Sequence, residues 1–352
     1  MIKNSFKLEI NKKNIIKNYL FYRKRKKKLL VAPTIKADAY GLGYDEIFKL
    51  LKRNGCRHFF VATLEEGLKI QNRDKTVKIY VLNGIQKNKI SLFNKNKLIP
   101  IINNVEDLEL IISTNINFGV HIDTGINRLG IDYKNVPKEI FDNKNICLVM
   151  SHLASADEIK NKYNQIQKDR FINIIKKFKS RKIIFSLANS SGSVLSKSFL
   201  LDMIRPGIGL YGGNNSNKLL SKKIKPVIKL SGKIIQIKTI TKNQYIGYNQ
   251  TFITNKKTKI AIIGIGYADG IPRSLSNKGI VYYKNNKFKI IGRISMDSFT
   301  IDITKSKNNL KVGMFVDLIN HTYGIEHFAK QCKTISNEVI TNIGIRVKKI
   351  YA

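Results

Sequence analysis

The sequence predicts a (β/α)8 barrel of the TIM type followed by a C-terminal mostly β domain. Three observations carry that reading. Short apolar segments alternate with stretches of helix-like apolar spacing over the first part of the chain, the pattern of a parallel sheet with crossover helices. Eight such units fit in about 210 residues, near the low end of the size of a barrel, with a doubly wound open sheet as the alternative. After Tyr211 the texture changes to short β-rich runs separated by turn residues. A length of 352 residues suits two domains.

The elements follow in order. Phe6–Ile10 alternates like a strand ahead of the first helix and is expected to join the second domain. The basic run from Arg23 to Lys28 reads as the solvated end of that helix. The eight barrel strands are expected at Leu29–Ile35, His58–Ala62, Lys78–Leu82, Leu98–Ile102, Asn117–Ile122, Ile146–Ser151, Ile183–Leu187 and Met203–Leu210. Helical spacing lies between them, at Tyr44–Arg53, Leu64–Gln71, Val105–Ser113 and Ile159–Phe178. The barrel is therefore expected over 11–225, and the β domain over 226–352 together with 1–10. Gly212–Asn217 reads as a linker. Beyond it, Val227–Ile240, Lys259–Ile265, Gly279–Tyr283, Phe288–Ile294, Phe299–Ile303 and Met314–Ile319 read as strands of an all-β domain.

Composition narrows the classes. Hydrophobic residues make up 43% of the chain, enough for a core. No apolar run approaches the roughly 18 residues that cross a bilayer, so no membrane is expected. The start of the chain has no apolar segment of signal-peptide type, and a cytoplasmic protein is expected. Cys56, Cys147 and Cys332 are odd in number and far apart, and the five histidines have no metal-ligand spacing, so no metal is expected. The net charge of +40 raises nucleic-acid binding. The excess is spread along a chain rich in Lys, Ile and Asn throughout, with no basic face interleaved with aromatics, so no nucleic acid is expected.

The chemistry of a barrel sits where its strands end. Lys36 closes the first strand, within Thr34-Ile35-Lys36-Ala37-Asp38-Ala39-Tyr40-Gly41-Leu42-Gly43. A surface lysine with a snorkelling stem is the bland reading. A Schiff-base lysine is the functional one, since that role needs a desolvated amine. His152 closes the sixth strand, and Ala188-Asn189-Ser190-Ser191-Gly192 follows the seventh with hydroxyls at a helix start. Arg205-Pro206-Gly207-Ile208-Gly209 ends the eighth. Barrels often bind phosphate with the loops after strands seven and eight. Together these groups describe a phosphate-bearing cofactor at a barrel mouth with a lysine to hold it.

Ile35–Gly43 resembles the cofactor-lysine motif of the alanine racemases, and further matches follow in order. They are Asp123-Thr124-Gly125-Ile126-Asn127-Arg128-Leu129-Gly130, the His152 motif, Ala188-Asn189-Ser190, Arg205-Pro206-Gly207, Gly266-Tyr267-Ala268-Asp269-Gly270-Ile271-Pro272-Arg273 and Gly292-Arg293-Ile294-Ser295-Met296-Asp297. The resemblance implies a pyridoxal 5'-phosphate enzyme that interconverts L- and D-alanine and so supplies D-alanine for peptidoglycan. It implies that Lys36 and Tyr267 are catalytic, Lys36 also holding the cofactor and serving the D-enantiomer, Tyr267 the L-enantiomer. Tyr40, Ser190, Gly207 and Ile208 are then cofactor-binding at the phosphate, Asn189 is cofactor-binding as well, His152 lies beside the ring and Arg205 at the pyridine nitrogen. Arg128 and Met296 are implied as substrate-binding. The family's active unit is a homodimer with shared sites, Tyr267 and Met296 coming from the partner subunit.

Three positions depart from the family pattern. His121 stands where many relatives carry a carbamylated lysine that orients the arginine at Arg128's position. Neutral imidazole supplies no anion, so neutral hydrogen bonding or a bound anion is expected to orient Arg128. Ser186 stands where some relatives place a histidine beside the pyridine-binding arginine, and Ile343-Gly344-Ile345-Arg346 replaces a segment that holds a tyrosine near the entrance. A racemase of serine or of broader range is the alternative function. Decarboxylases of this plan place a cysteine where Tyr267 stands, and a cofactor carrier built from the barrel alone has no β domain.

Overall fold

The computed structural model describes residues 5–179, 182–306 and 308–352. Ile15–Lys225 forms one unit. Its parallel strands run in chain order as Leu30–Val31, His58–Val61, Lys78–Val81, Ile99–Ile102, Phe118–Asp123, Ile146–Met150, Ile184–Asn189 and Met203–Arg205. The last strand lies beside the first, Met203 opposite Leu30. A parallel bridge from Thr34 to Phe60 then brings the sheet round into a nearly closed barrel. Strands such as Ile99–Ile102 are buried on both faces, as a barrel wall under helices requires. Ala32, Phe60, Tyr80, Ile101, Leu148 and Met203 pack into one interior cluster.

The barrel's seam departs from the expected strands for a stated reason. Leu29–Ile35 is cut to Leu30–Val31 and Met203–Leu210 to Met203–Arg205. Proline has no N–H for the ladder. Pro33 and Pro206 stand at the two breaks and contribute carbonyls alone, which accept the Phe60 and Thr34 N–H groups at 2.9 Å each.

Helices Tyr44–Arg53 and Leu64–Gln71 fall where the spacing puts them. Thr63 caps the second, accepting the Glu66 N–H at 3.3 Å. The helix expected over 159–178 runs from Tyr163 to Ile175. Asn161 accepts the Tyr163 N–H at 2.9 Å and so fixes a later start. The basic run after Lys12–Arg23 is less solvated than expected, because Lys26 Nζ donates to the Leu200 and Leu201 carbonyls at 3.0 and 2.8 Å. The segment read as a linker is folded onto this unit. Gly213 N–H donates to the Ile208 carbonyl at 3.0 Å, and buried Asn217 caps Lys218–Ser221.

The residues up to Asn14 and Pro226–Ala352 form the second unit. Its spine is Ile228–Ile240, antiparallel to Phe6–Ile10 and Phe315–Ile319 along its first part and to Thr258–Ile263 along its second. Gly232 lies where the partners change, and a Cβ there would stand 2.6 Å from Ile263 Cγ2. Phe299–Asp302, Asn286–Ile291 and Ile280–Tyr283 complete the circuit of strands. Lys348–Tyr351 adds to Phe6–Ile10 in parallel. Two helices, Ile325–Cys332 and Ser336–Thr341, interrupt the expected all-β texture. Each is too short for apolar periodicity to announce it. No helix among the described residues is long and apolar enough to cross a membrane.

Candidate active site

Lys36 opens a turn that is left-handed. Ala37, Asp38, Ala39 and Tyr40 have φ of 52, 54, 54 and 57°. Each L-residue held there costs about 1–2 kcal/mol, so such a run persists only where neighbours over-determine it. The carboxylate of Glu66 does much of this, accepting the Ala37 and Ala62 N–H groups at 2.7 Å each. Asp38 accepts the Tyr44 N–H at 2.8 Å, and the Gly43 N–H donates to the Asp38 carbonyl at 2.9 Å. Gly41 and Gly43, at φ 78 and 90°, therefore serve the turn's conformation. The turn half-buries the Lys36 amine, and burial lowers its pKa, helped by the Arg128 charge and opposed by Glu66. A lowered pKa is what a nucleophilic amine needs.

The loops after strands seven and eight are tied by one hydroxyl. Ser190 Oγ accepts the Gly207 and Gly209 N–H groups at 3.0 and 3.1 Å. Gly207 lies under the phenol of Tyr40, and a Cβ there would stand 2.2 Å from Tyr40 Oη. Burial pushes the Tyr40 hydroxyl up to about 12, so it stays a donor at neutral pH. Ile208 opens a 3-10 turn, whose first amides have no partner within it. The Asn189 side chain accepts the Gly192 N–H at 2.8 Å and shapes the same loop. Hydroxyls and amides converging here form a cradle for a phosphate.

Across the barrel mouth the charges are positive. Buried Arg205 donates to the Ser186 hydroxyl and the Ser151 carbonyl, and reaches the Leu187 carbonyl at 3.4 Å. Ser186 in turn donates to the Met203 carbonyl at 2.8 Å. The serine departure is thereby explained, since a small hydroxyl holds the guanidinium without a second ring. Burial lowers the Arg205 pKa to about 9, which still leaves it charged at neutral pH. His152 Nδ1 stands 3.5 Å from Arg205 Nη2, and burial followed by that charge holds the imidazole neutral.

His121 is buried in the strand wall. Asn103 donates both amide hydrogens to carbonyls, Leu82 at 2.8 Å and Ile101 at 2.9 Å. Its Oδ1 therefore faces His121 Nδ1, 3.0 Å away, as an acceptor. The proton is fixed on Nδ1, and Nε2 is left as a buried lone pair with no partner among the described residues. Burial first, then the charges of Arg205 and Arg128, push its pKa down to about 3. A lone pair there suits an N–H donor and not an anion. Arg128 itself is exposed, on a loop whose amides are gathered by Asp123, which accepts from Gly125 and Ile126 at 2.7 and 2.9 Å.

Lys36, Tyr40, Arg128, His152, Asn189, Ser190, Arg205, Gly207 and Ile208 thus lie in the barrel unit. Tyr267 and Met296 lie in the other. They ride adjacent loops joined by Tyr267 N–H to Ser295 O at 3.1 Å and Ala268 N–H to Met296 O at 3.0 Å. Both side chains face outward, 44% and 53% exposed. Among the described residues no group of three His, Cys, Asp or Glu stands ready for a metal.

The barrel residues fit a phosphate-bearing aromatic aldehyde. The cradle could take the dianion, Arg205 could donate to the ring, and Lys36 could supply the amine. Sequence reasoning missed Glu66 and Asn103. Thr63 and Glu66 have the spacing of a capping box, so Glu66 reads as a helix start, while its carboxylate reaches back to the Lys36 turn.

Comparisons with known proteins agree across the chain. Residues 10–215 match the family model for the alanine racemase N-terminal domain, and 227–351 that for the C-terminal domain. An alanine racemase of Rickettsia africae is 35% identical over 98% of this chain and 98% of its own. One of Brucella abortus is 35% identical over 91% of this chain and 88% of its own. The crystal structure of an alanine racemase from Bartonella henselae with covalently bound pyridoxal phosphate superposes with a TM-score of 0.94 at 32% identity, covering 99% of this chain and 100% of that one.

Proposed function

The chain belongs to the alanine racemase family, and from that premise we propose that Lys36 and Tyr267 are the two opposed bases of its reaction. It is a pyridoxal-phosphate-dependent isomerase that interconverts L- and D-alanine. The serine or broader-range alternative is not favoured, since the relatives are named for alanine.

Lys36 holds the cofactor covalently. Tyr40, Ser190, Gly207 and Ile208 would hold its phosphate, Asn189 would bind the cofactor with them, His152 would pack beside the ring, and Arg205 would meet the ring nitrogen. When bound, the cofactor withdraws electrons from the substrate's α-carbon and so acidifies its proton. Arg205 keeps its own proton at neutral pH and acts at the ring nitrogen as a donor alone, which limits that withdrawal. Arg128 and the Met296 N–H bind the substrate carboxylate. Lys36 would exchange a proton on one face at Nζ. Tyr267 would do so on the other at Oη. Two bases on opposite faces invert the centre without turning the substrate over.

The observation that carries this reading is the Lys36 amine, lowered in pKa and held on a turn of forced left-handed backbone at a strand end. The shared-site homodimer is supported by the exposure of Tyr267 and Met296 on a unit other than the one that bears Lys36. Three separated cysteines with no disulfide among them suit a reducing cytoplasm. Reduction with borohydride followed by peptide mapping tests the assignment. The expected result is the cofactor fixed to Lys36, and label on another lysine contradicts it.

A further inference from the structure

The loops that present Tyr267 and Met296, joined by two backbone bonds of their own, are tied a second time through residues 342–346. Arg346 Nε donates to Asp269 Oδ1 at 3.1 Å. Its Nη2 stands 3.0 Å from the same oxygen and donates to Asp297 Oδ1 at 2.9 Å. Asp269 follows Tyr267 by two residues, and Asp297 follows Met296 directly. One planar guanidinium thus spans the two loops, a geometry that a point-charge ammonium does not reproduce.

The surroundings make this attachment specific. The Asp269 side chain is fully buried, and its other oxygen accepts the Gly266 N–H at 3.0 Å. The Gly344 N–H donates to the Asp269 carbonyl at 3.1 Å. Two glycines allow the contact. A Cβ on Gly270 would lie 2.2 Å from the Asn342 carbonyl oxygen, and one on Gly344 would lie 2.7 Å from that of Ala268. Residues 342–346 therefore lie tightly along 266–270, and the arginine at their end closes onto the second loop. Tyr267 and Met296 themselves are exposed.

We propose that Arg346 is a positioning residue, which sets the placement of Tyr267 relative to Met296 by bridging Asp269 and Asp297. The proposal rests on the reading of Tyr267 as the base for the L-enantiomer. Removing the bridge leaves Tyr267 chemically intact but lets its loop drift from the Met296 amide. A misplacement of about 1 Å costs on the order of 10²-fold in rate. Proton exchange at the Tyr267 face should feel it most, since the Met296 amide binds the carboxylate of both enantiomers alike.

The test compares Arg346→Gln and Asp297→Asn with Tyr267→Phe in the holoenzyme. Asp297 is exposed, so its variant loosens the bridge while leaving Arg346 on Asp269 and the fold undisturbed. Amide hydrogen exchange, read by mass spectrometry, should quicken in 265–271 and 295–298 and stay unchanged in the barrel. Release of the α-proton from L-alanine should fall about 10–100-fold in Arg346→Gln, and less in Asp297→Asn, while release from D-alanine is largely kept. Unchanged amide exchange in the two loops, or equal losses from both enantiomers, overturns the clamp. If Tyr267→Phe keeps the asymmetry in that case, the base assignment stands without the clamp. If Tyr267→Phe itself shows no asymmetry, the base assignment fails and takes the positioning role with it.

Discussion

His121 offers a stability measurement that reports directly on the positive barrel mouth. His121→Gln replaces a group that titrates with one that does not. In the folded protein the imidazole is held neutral down to about pH 3 by burial and by Arg205 and Arg128. In the unfolded chain its pKa is about 6.5. The folded pKa is depressed, so as pH falls below 6.5 the unfolded state takes up a proton that the folded state refuses. Stability is therefore full above about pH 6.5 and drains away between there and pH 3. At pH 5 the gap is about 1.5 pH units, worth about 2 kcal/mol at 1.36 kcal/mol per unit. Urea unfolding at pH 7.5 and pH 5 should show a pH-dependent loss in the parent that exceeds the loss in His121→Gln by that amount. Nitrogen shifts of the labelled ring should report the Nδ1–H form throughout. An equal pH dependence in both proteins, or a ring that titrates near 6.5, refutes the argument. The same neutrality means that turnover shows no His121 ionisation between pH 5 and 8. Turnover also does not depend on bicarbonate, because no lysine carbamate stands at this position.

Other expectations follow from the same geometry. Tyr267→Phe should cut α-proton release from L-alanine by about 10²–10⁴-fold, the worth of a general base, and spare release from D-alanine; isotope exchange with each enantiomer reads the difference. Inactive Lys36→Ala and inactive Tyr267→Phe proteins should recover activity when their subunits exchange, and no recovery counts against shared sites. Ser186→Ala removes a hydrogen bond to the Arg205 guanidinium and one to the Met203 carbonyl, both buried. Unfolding by denaturant should show a loss of about 2–4 kcal/mol, one charged and one neutral bond.

Much of this was legible in the sequence because barrel strands announce themselves as apolar runs and their ends carry the chemistry. Lys36, His152, Ser190 and Arg205 were found at strand ends by that rule. What stayed hidden depends on long-range pairing. Glu66 supports the Lys36 turn from another βα unit, and Asn103 sets the His121 tautomer from a neighbouring strand. Neither has a local pattern that points to its partner. The left-handed run at 37–40 could not be read either, because Ala and Tyr do not favour that conformation. The segment 343–346 showed only as a departure from the family pattern. Its hold on Asp269 and Asp297 needs the fold to bring the chain's end back to residues far earlier.

The central claim is an inversion of alanine by two opposed bases, and chiral analysis of L-alanine incubated with the holoenzyme in heavy water tests it most directly. The account predicts D-alanine carrying deuterium at its α-carbon, with the two enantiomers approaching equal amounts and L-serine lagging behind. Absence of D-alanine, or D-alanine that keeps the original proton through return by a single base, would contradict it.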